Sequence, residues 1–226
     1  MATLARYIAR TATAVALVCA FAAQAAPTLV SNGSLTAETV NNGVPAGWVT
    51  LLGTPDVMDA FNNVGVPNTQ RFGMAPASAS PDGGTWVGLG VNTEQNYAER
   101  FGQTLNGLTI GQTYQVSWFE GNFGYDYSSV SYLGSNAIEV LLNGVSLAKG
   151  KTLGLGANWS SESFSFVATS SSVQLAFQLA GLEKSYLSID GIAVTTAAPV
   201  PEPSTYALMG LGLVGLSLVA RRRRTH

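Results

Sequence analysis

Along residues 113–120, TYQVSWFE, the apolar Tyr114, Val116 and Trp118 alternate with Gln115, Ser117 and Phe119. Along 173–180, VQLAFQLA, Val173, Leu175, Phe177 and Leu179 alternate with Gln174, Ala176 and Gln178. A period of two puts each set on its own face of a strand, so both segments are predicted to lie in sheets with a core side. Asn143-Gly144 in AIEVLLNGVSLA is the favoured two-residue hairpin turn. Further strands are predicted at 48–52, 85–90, 98–105, 159–167 and 186–195. No stretch of residues 26–199 sustains a helical period, and Gly, Asn and Ser punctuate the apolar runs. The expected fold is all-β, an antiparallel β-sandwich or jelly roll.

The two ends follow a different pattern. Arg6 and Arg10 precede an apolar stretch from Ala12 to Ala23, and Ala23-Gln24-Ala25 has the form of an A-x-A cleavage site, so residues 1–25 are expected to be a signal peptide with a helical apolar region. The C-terminal VPEPSTYALMGLGLVGLSLVARRRRTH places two prolines before an uncharged run from Tyr206 to Ala220 and four arginines after it. Pro201 and Pro203 stop a helix from growing backwards, so a membrane helix is expected over 204–220. Such a helix covers roughly 22–25 Å against the ~30 Å hydrocarbon core of a bilayer. Arg221, Arg222, Arg223 and Arg224 can snorkel to make up the difference and hold residues 221–226 on the cytoplasmic side, leaving the rest outside. The expected organisation is a β-sandwich domain at 26–196 and a short extended linker at 197–203, followed by helix and tail.

The single cysteine, Cys19, lies in the signal segment, and the residues before it lack the small side chain expected ahead of a lipid-modified cysteine. The single histidine is His226. Residues 26–199 therefore hold neither, which excludes disulfides, Ser-His-Asp and Cys-His nucleophiles, thiolate or imidazole zinc sites and a histidine switch. Between the two ends stand five bases, Arg71, Arg100, Lys149, Lys151 and Lys184, against twelve of the thirteen acids. An acidic domain is a poor partner for nucleic acid. Gly88-Leu89-Gly90 and Gly154-Leu155-Gly156 lack a phosphate-loop context, and no nucleophile elbow, P-loop or EF-hand pattern is present.

The richest stretch for chemistry is WFEGNFGYDYSSVSY, residues 118–132, where Glu120, Asn122 and Asp126 are interleaved with Phe123, Tyr125, Tyr127 and Tyr132. Flat aromatics beside carboxylate and amide acceptors suit a sugar ring, with its apolar faces and hydroxyl rim. The other reading is that the aromatics cover the sandwich core and the polar groups make turns. Asp56 and Asp59, with Asn62 and Asn63, offer oxygen ligands to calcium or form a solvated loop. Asp82-Gly83-Gly84 is expected to turn the chain into Thr85. Twelve acids leave glycoside hydrolysis formally open, but no pair stands out, and a non-enzymatic protein is expected.

Val200-Pro201-Glu202-Pro203, the apolar run and the arginine block from Arg221 through Arg222 and Arg223 to Arg224 resemble the PEP-CTERM protein-sorting signal. That resemblance implies a Gram-negative, exopolysaccharide-producing host. It also implies processing by an exosortase, a membrane-embedded cysteine transpeptidase that reads Glu202 and its flanking prolines. A permanent anchor is the other reading of the tail. The segments at 29–48, 102–119, 158–178 and 186–194 resemble successive strands of galactose-binding-like jelly rolls, the fold of many carbohydrate-binding modules. That likeness implies a structural calcium between the closing Asp190 and an opening acid; Ser34 stands where the acid is expected, with Glu38 as its substitute. The function expected is that of a surface or exopolysaccharide-matrix protein that binds glycans. A structural or protein-binding component is the alternative, ahead of a glycoside hydrolase or an ice-binding protein.

Overall fold

The computed structural model describes residues 28–61, 79–127, 130–197 and 210–213. The expected signal peptide at 1–25 and most of the 204–220 helix lie outside the described residues, as do Asn62 and Asn63. So do all eight residues of the expected sorting motif: Val200, Pro201, Glu202 and Pro203 ahead of the helix, and Arg221, Arg222, Arg223 and Arg224 behind it. Residues 210–213 form one helical turn, and among the described residues no helix is long and apolar enough to cross a membrane.

Two antiparallel sheets face one another. The first runs in the order β1 (Val49–Leu52), β5 (Arg100–Asn106), β12 (Ser172–Leu179), β9 (Ile138–Leu142), β10 (Val145–Lys149). The second runs β11 (Ala157–Val167), β6 (Thr113–Asn122), β13 (Ser185–Thr196), β3 (Thr85–Asn92), β2 (Asp56–Asp59), and β4 (Tyr97–Ala98) also pairs with β3. A small hairpin, β7 (Tyr125–Tyr127) and β8 (Val130–Tyr132), forms a third unit. The alternating stretches behave as their period requires. Tyr114, Val116 and Trp118 of β6 point inward, as do Val173, Leu175 and Phe177 of β12. Trp118 meets Phe177 across the sandwich edge to face at 5.8 Å, Phe177 packs on Phe101, and Phe101 on Trp48 at 5.0 Å. Asn143 and Gly144, both at positive φ, turn β9 into β10.

Asn32-Gly33 ties the N-terminal segment to the last strand. The Ile192 N–H donates to the Gly33 carbonyl at 2.8 Å, and a Cβ on Gly33 would overlap the Ile192 carbonyl oxygen. Trp48 Nε1 donates to the Asn32 carbonyl at 2.9 Å, anchoring the core tryptophan to the same corner.

The second sheet is covered on its outer side as well. Trp86 of β3, Met58 of β2, Tyr186 of β13 and Phe123 form a separate buried cluster there, with Tyr125, Tyr132 and Trp159 packed around it. Trp159 meets Trp86 at 5.2 Å and Phe123 at 5.3 Å, both edge to face. This outer layer, absent from a sandwich whose sheets face water on one side, creates the site.

Candidate functional site in a tyrosine-lined cleft

On the outer face of β3 the alternation is Trp86, Gly88, Gly90. The two glycines leave a trough in which the ring of Tyr186 lies. A Cβ on Gly88 would overlap that ring, and one on Gly90 would stand 3.2 Å from Tyr186 Cδ2. Lying flat, the ring carries its hydroxyl to Asp56 on β2 and donates to Oδ2 at 2.7 Å, while the Asn42 N–H donates to Oδ1 at 2.9 Å.

Glu99 joins β4 to β5. It sits where β3 has passed the end of β2 and begins to pair with β4, so no ladder strand takes up the Gly90 amide. The Glu99 N–H donates to the Gly90 carbonyl at 3.0 Å, and the Gly90 N–H donates back to the Glu99 carboxylate. The Tyr97 hydroxyl donates to the other Glu99 oxygen and lies 2.8 Å from the Thr54 hydroxyl. Burial pushes Glu99 up to about 8; repulsion from Asp56 adds to this, and the hydrogen bonds from Tyr97, Gly90 and Thr54 oppose it. Burial likewise raises Tyr97, Tyr132 and Tyr186, and the charge of Glu99 adds to all three. The phenols stay neutral and available for hydrogen bonding through the physiological range.

The β7–β8 hairpin closes one wall. Tyr125 packs on Tyr186 at 5.2 Å and meets Tyr132 at 6.2 Å with ring planes 87° apart. The result is an open cleft of about 240 Å³. Its floor is Tyr186, Asp56, Glu99 and Gly90, and its walls are Tyr97, Tyr125, Val130, Tyr132, Thr54, Asn41 and Asn42. Ligand pockets for drug-sized molecules run to roughly 300–1,000 Å³, so this one takes a ligand of about one ring. A second, larger depression of about 490 Å³, lined by Leu52, Gly53, Val91 and neighbours, shares Tyr97 with it.

Of the seven residues proposed from the 118–132 stretch, the cleft receives two, Tyr125 and Tyr132. Three others turn inward. Glu120 is fully buried at the end of the core, where Trp118 Nε1 donates to its Oε2 at 2.8 Å, and burial pushes it up to about 7. Buried Asn122 spends its amide on the carbonyls of Gly134 and Leu153, and Phe123 belongs to the outer aromatic cluster. β6 extends to Asn122, two residues further than the pattern shows, which carries Glu120 and Asn122 into the interior instead of onto a loop. Asp126 is exposed, accepts from the Ser131 hydroxyl at 2.6 Å and does not line the cleft. Tyr127 ends β7, and its side chain lies outside the described residues.

Asp56 and Asp59 do not act together. They are three apart on a strand and so face opposite ways; Asp56 reaches the cleft, and Asp59 caps the Phe61 amide at 3.0 Å. Among the described residues no group of three or more His, Cys, Asp or Glu is placed to hold a metal ion. Asp190 is fully buried, and neither carboxylate oxygen has a hydrogen-bond partner among the described residues. Burial pushes it up to about 7, with Asp82 adding repulsion and the nearby Ser80 hydroxyl and Gly191 amide opposing it. Glu38 is exposed and is not among the groups acting on Asp190.

Tyr97, Glu99, Tyr186, Thr54, Asn41 and Asn42 have no part in the sequence-based site. The signal the sequence does carry for them is Gly88-Leu89-Gly90: two glycines on one face of a strand leave room for a ring to lie across it.

The fold is thus a jelly-roll-like β-sandwich with an acidic, aromatic cleft on one sheet. Residues 199–224 match the PEP-CTERM protein-sorting motif, a match that spans Val200, Pro201, Glu202 and Pro203 at one end and Arg221, Arg222, Arg223 and Arg224 at the other. The chain carries a PEP-CTERM sorting signal, which implies export and membrane-anchored processing by an exosortase. No curated protein matches the sequence. Among solved structures, the enzymatically active domain of bacteriophage CBA120 tailspike protein 4 is similar over 75% of this chain and 21% of its own, at 15% identity and a TM-score of 0.46. The chain spans about a fifth of that protein's length. A CBM4 structure is similar over 74% of this chain and 99% of its own, at 17% identity and a TM-score of 0.41. TmCBM61, solved in complex with β-1,4-galactotriose, is similar over 67% of this chain and 90% of its own, at 12% identity and a TM-score of 0.38.

Proposed function

We propose that this is an exported, non-enzymatic glycan-binding protein of the cell surface or exopolysaccharide matrix, and that its ligand enters the cleft between the β7–β8 hairpin and β3. One observation carries the reading: Tyr125 and Tyr132 meet at 87° beside the carboxylates of Asp56 and Glu99 in a cleft the size of one ring. The perpendicular rings offer CH-stacking surfaces, and the carboxylates, Thr54 and the two asparagines offer acceptors and donors to a hydroxyl rim. Binding without turnover is supported by how the two carboxylates are held. Each already accepts hydrogen bonds at both oxygens from within the protein, which orients them as fixed acceptors.

The test is calorimetric titration of the full chain in detergent with a panel of polysaccharides and oligosaccharides. Saturable binding that Tyr125→Ala abolishes, with near-ultraviolet circular dichroism retained, is the expected result. A folded protein that binds no glycan in the panel overturns the reading in favour of a structural or protein-binding surface component.

We also infer that a calcium ion is the group best suited to Asp190. The buried Asp190 carboxylate, with the Ser80 hydroxyl and the charge of Asp82 near it, offers oxygen ligands of the kind calcium takes. On this reading Asp82 and Ser80 take the place that the sequence gives to Glu38.

A further inference from the structure

The glycan reading leaves the class of sugar open, and the charge around Glu99 narrows it. The groups acting on Glu99 come from every element packed about it: Tyr97 of β4, Asp56 of β2, Gly90 of β3, Thr54 before β2, and from further off Tyr132 of β8 and Tyr186 of β13. All are acids, phenols or neutral donors, and no lysine or arginine is among the described residues that line the cleft. Lys184 Nζ sits 4.8 Å from the centroid of the Tyr132 ring, so this aromatic wall already attracts an ammonium.

We infer that the cleft selects glycans bearing a free amino group, the ammonium of an amino sugar sitting between Glu99 and the Tyr125–Tyr132 corner, and that it rejects uronates and other anionic sugars. The inference rests on the glycan-binding reading and names its ligand class. A ring-sized cleft with two perpendicular aromatic walls and an acid on the floor offers a cation both ring quadrupoles and a charge-assisted hydrogen bond. An anion there meets carboxylates and the edges of phenols that do not ionise.

The experiment compares matched tetramers on the full chain in detergent at pH 6: a glucosamine tetramer, its fully N-acetylated counterpart and a galacturonate tetramer. Expected is binding of the amine tetramer about 10- to 100-fold tighter than the acetylated one, with no measurable binding of the uronate. Glu99→Gln is expected to bring the two glucosamine tetramers within a few-fold of each other, and Lys184→Met to strengthen amine binding. The comparison of the three tetramers on the wild-type protein does not depend on any variant folding. Equal or tighter binding of the acetylated or acidic tetramer overturns the amino-sugar inference while leaving glycan binding intact. Binding of none of the three, or of any broader panel, overturns the glycan reading itself.

Discussion

The Tyr186 hydroxyl donates to the Asp56 carboxylate at 2.7 Å, joining the last strand of the domain to a short edge strand 130 residues earlier. Both groups are buried, so the bond satisfies two polar atoms that would otherwise each cost about 1–3 kcal/mol. It also sets the floor of the cleft, since the ring can reach Asp56 only by lying flat over Gly88.

Gly88→Ala should therefore be far worse than Gly90→Ala. The first places a methyl within the Tyr186 ring and forces it off Asp56; the second meets the ring at 3.2 Å, a contact that a small shift relieves. The expected loss is about 2–3 kcal/mol for Gly88→Ala and under about 1 kcal/mol for Gly90→Ala. Urea unfolding of the two variants checks the order, and equal losses would remove the trough from the account of the site.

Stability should fall as pH rises from about 4 to 8. Glu99, Glu120 and Asp190 all have folded values raised by burial, to about 8, 7 and 7. Below the ordinary carboxylate range both folded and unfolded chains carry these protons, so nothing is lost. Above it the unfolded chain ionises first, and stability declines until the pH passes the folded values, by several kcal/mol in sum. Glu139 has the opposite sign: although it is partly buried, hydrogen bonds from Ser146 and Gln178 and the charges of Lys149 and Arg100 hold it low, so its contribution is lost only in acid. Glu120→Gln keeps an acceptor for Trp118 Nε1 and removes the buried charge. It should leave the melting temperature near that of wild type at pH 5 and raise it at pH 8.5, as a thermal melt at the two values will show.

The alternating strands and the Asn143-Gly144 turn are legible in the sequence because their inner faces meet a core and their outer faces meet water. Thr85–Asn92 is legible as a strand but not in its faces. It is covered on both sides, so Trp86 and Val87 are equally buried and the period of two disappears. The same double covering explains the misplaced half of the site: Phe123 and Asn122 look like loop residues beside acids, yet they serve the outer layer and the end of the core. The cleft itself draws Tyr97, Glu99 and Asp56 from strands of two to four residues and their junctions, too short to show any period. Only Tyr125 and Tyr132 come from a run whose composition announces them.

Calcium at Asp190 has its own readout. Saturating calcium is expected to raise the melting temperature of the full chain at pH 7, chelator to reverse it, and Asp190→Asn to abolish the difference. An identical melt with calcium and with chelator would leave Asp190 as a protonated core acid.

The place of β13 in the second sheet bears on the order of events in making this protein. It is the last strand before the sorting signal, ending at Thr196, and it lies between β3 and β6 while Gly33 clasps it from the N-terminal side. With the centre of the sheet supplied last, β3 and β6 have no partner to join them until nearly the whole chain has emerged. The sheet closes only when β13 is in place, with the sorting signal next in line.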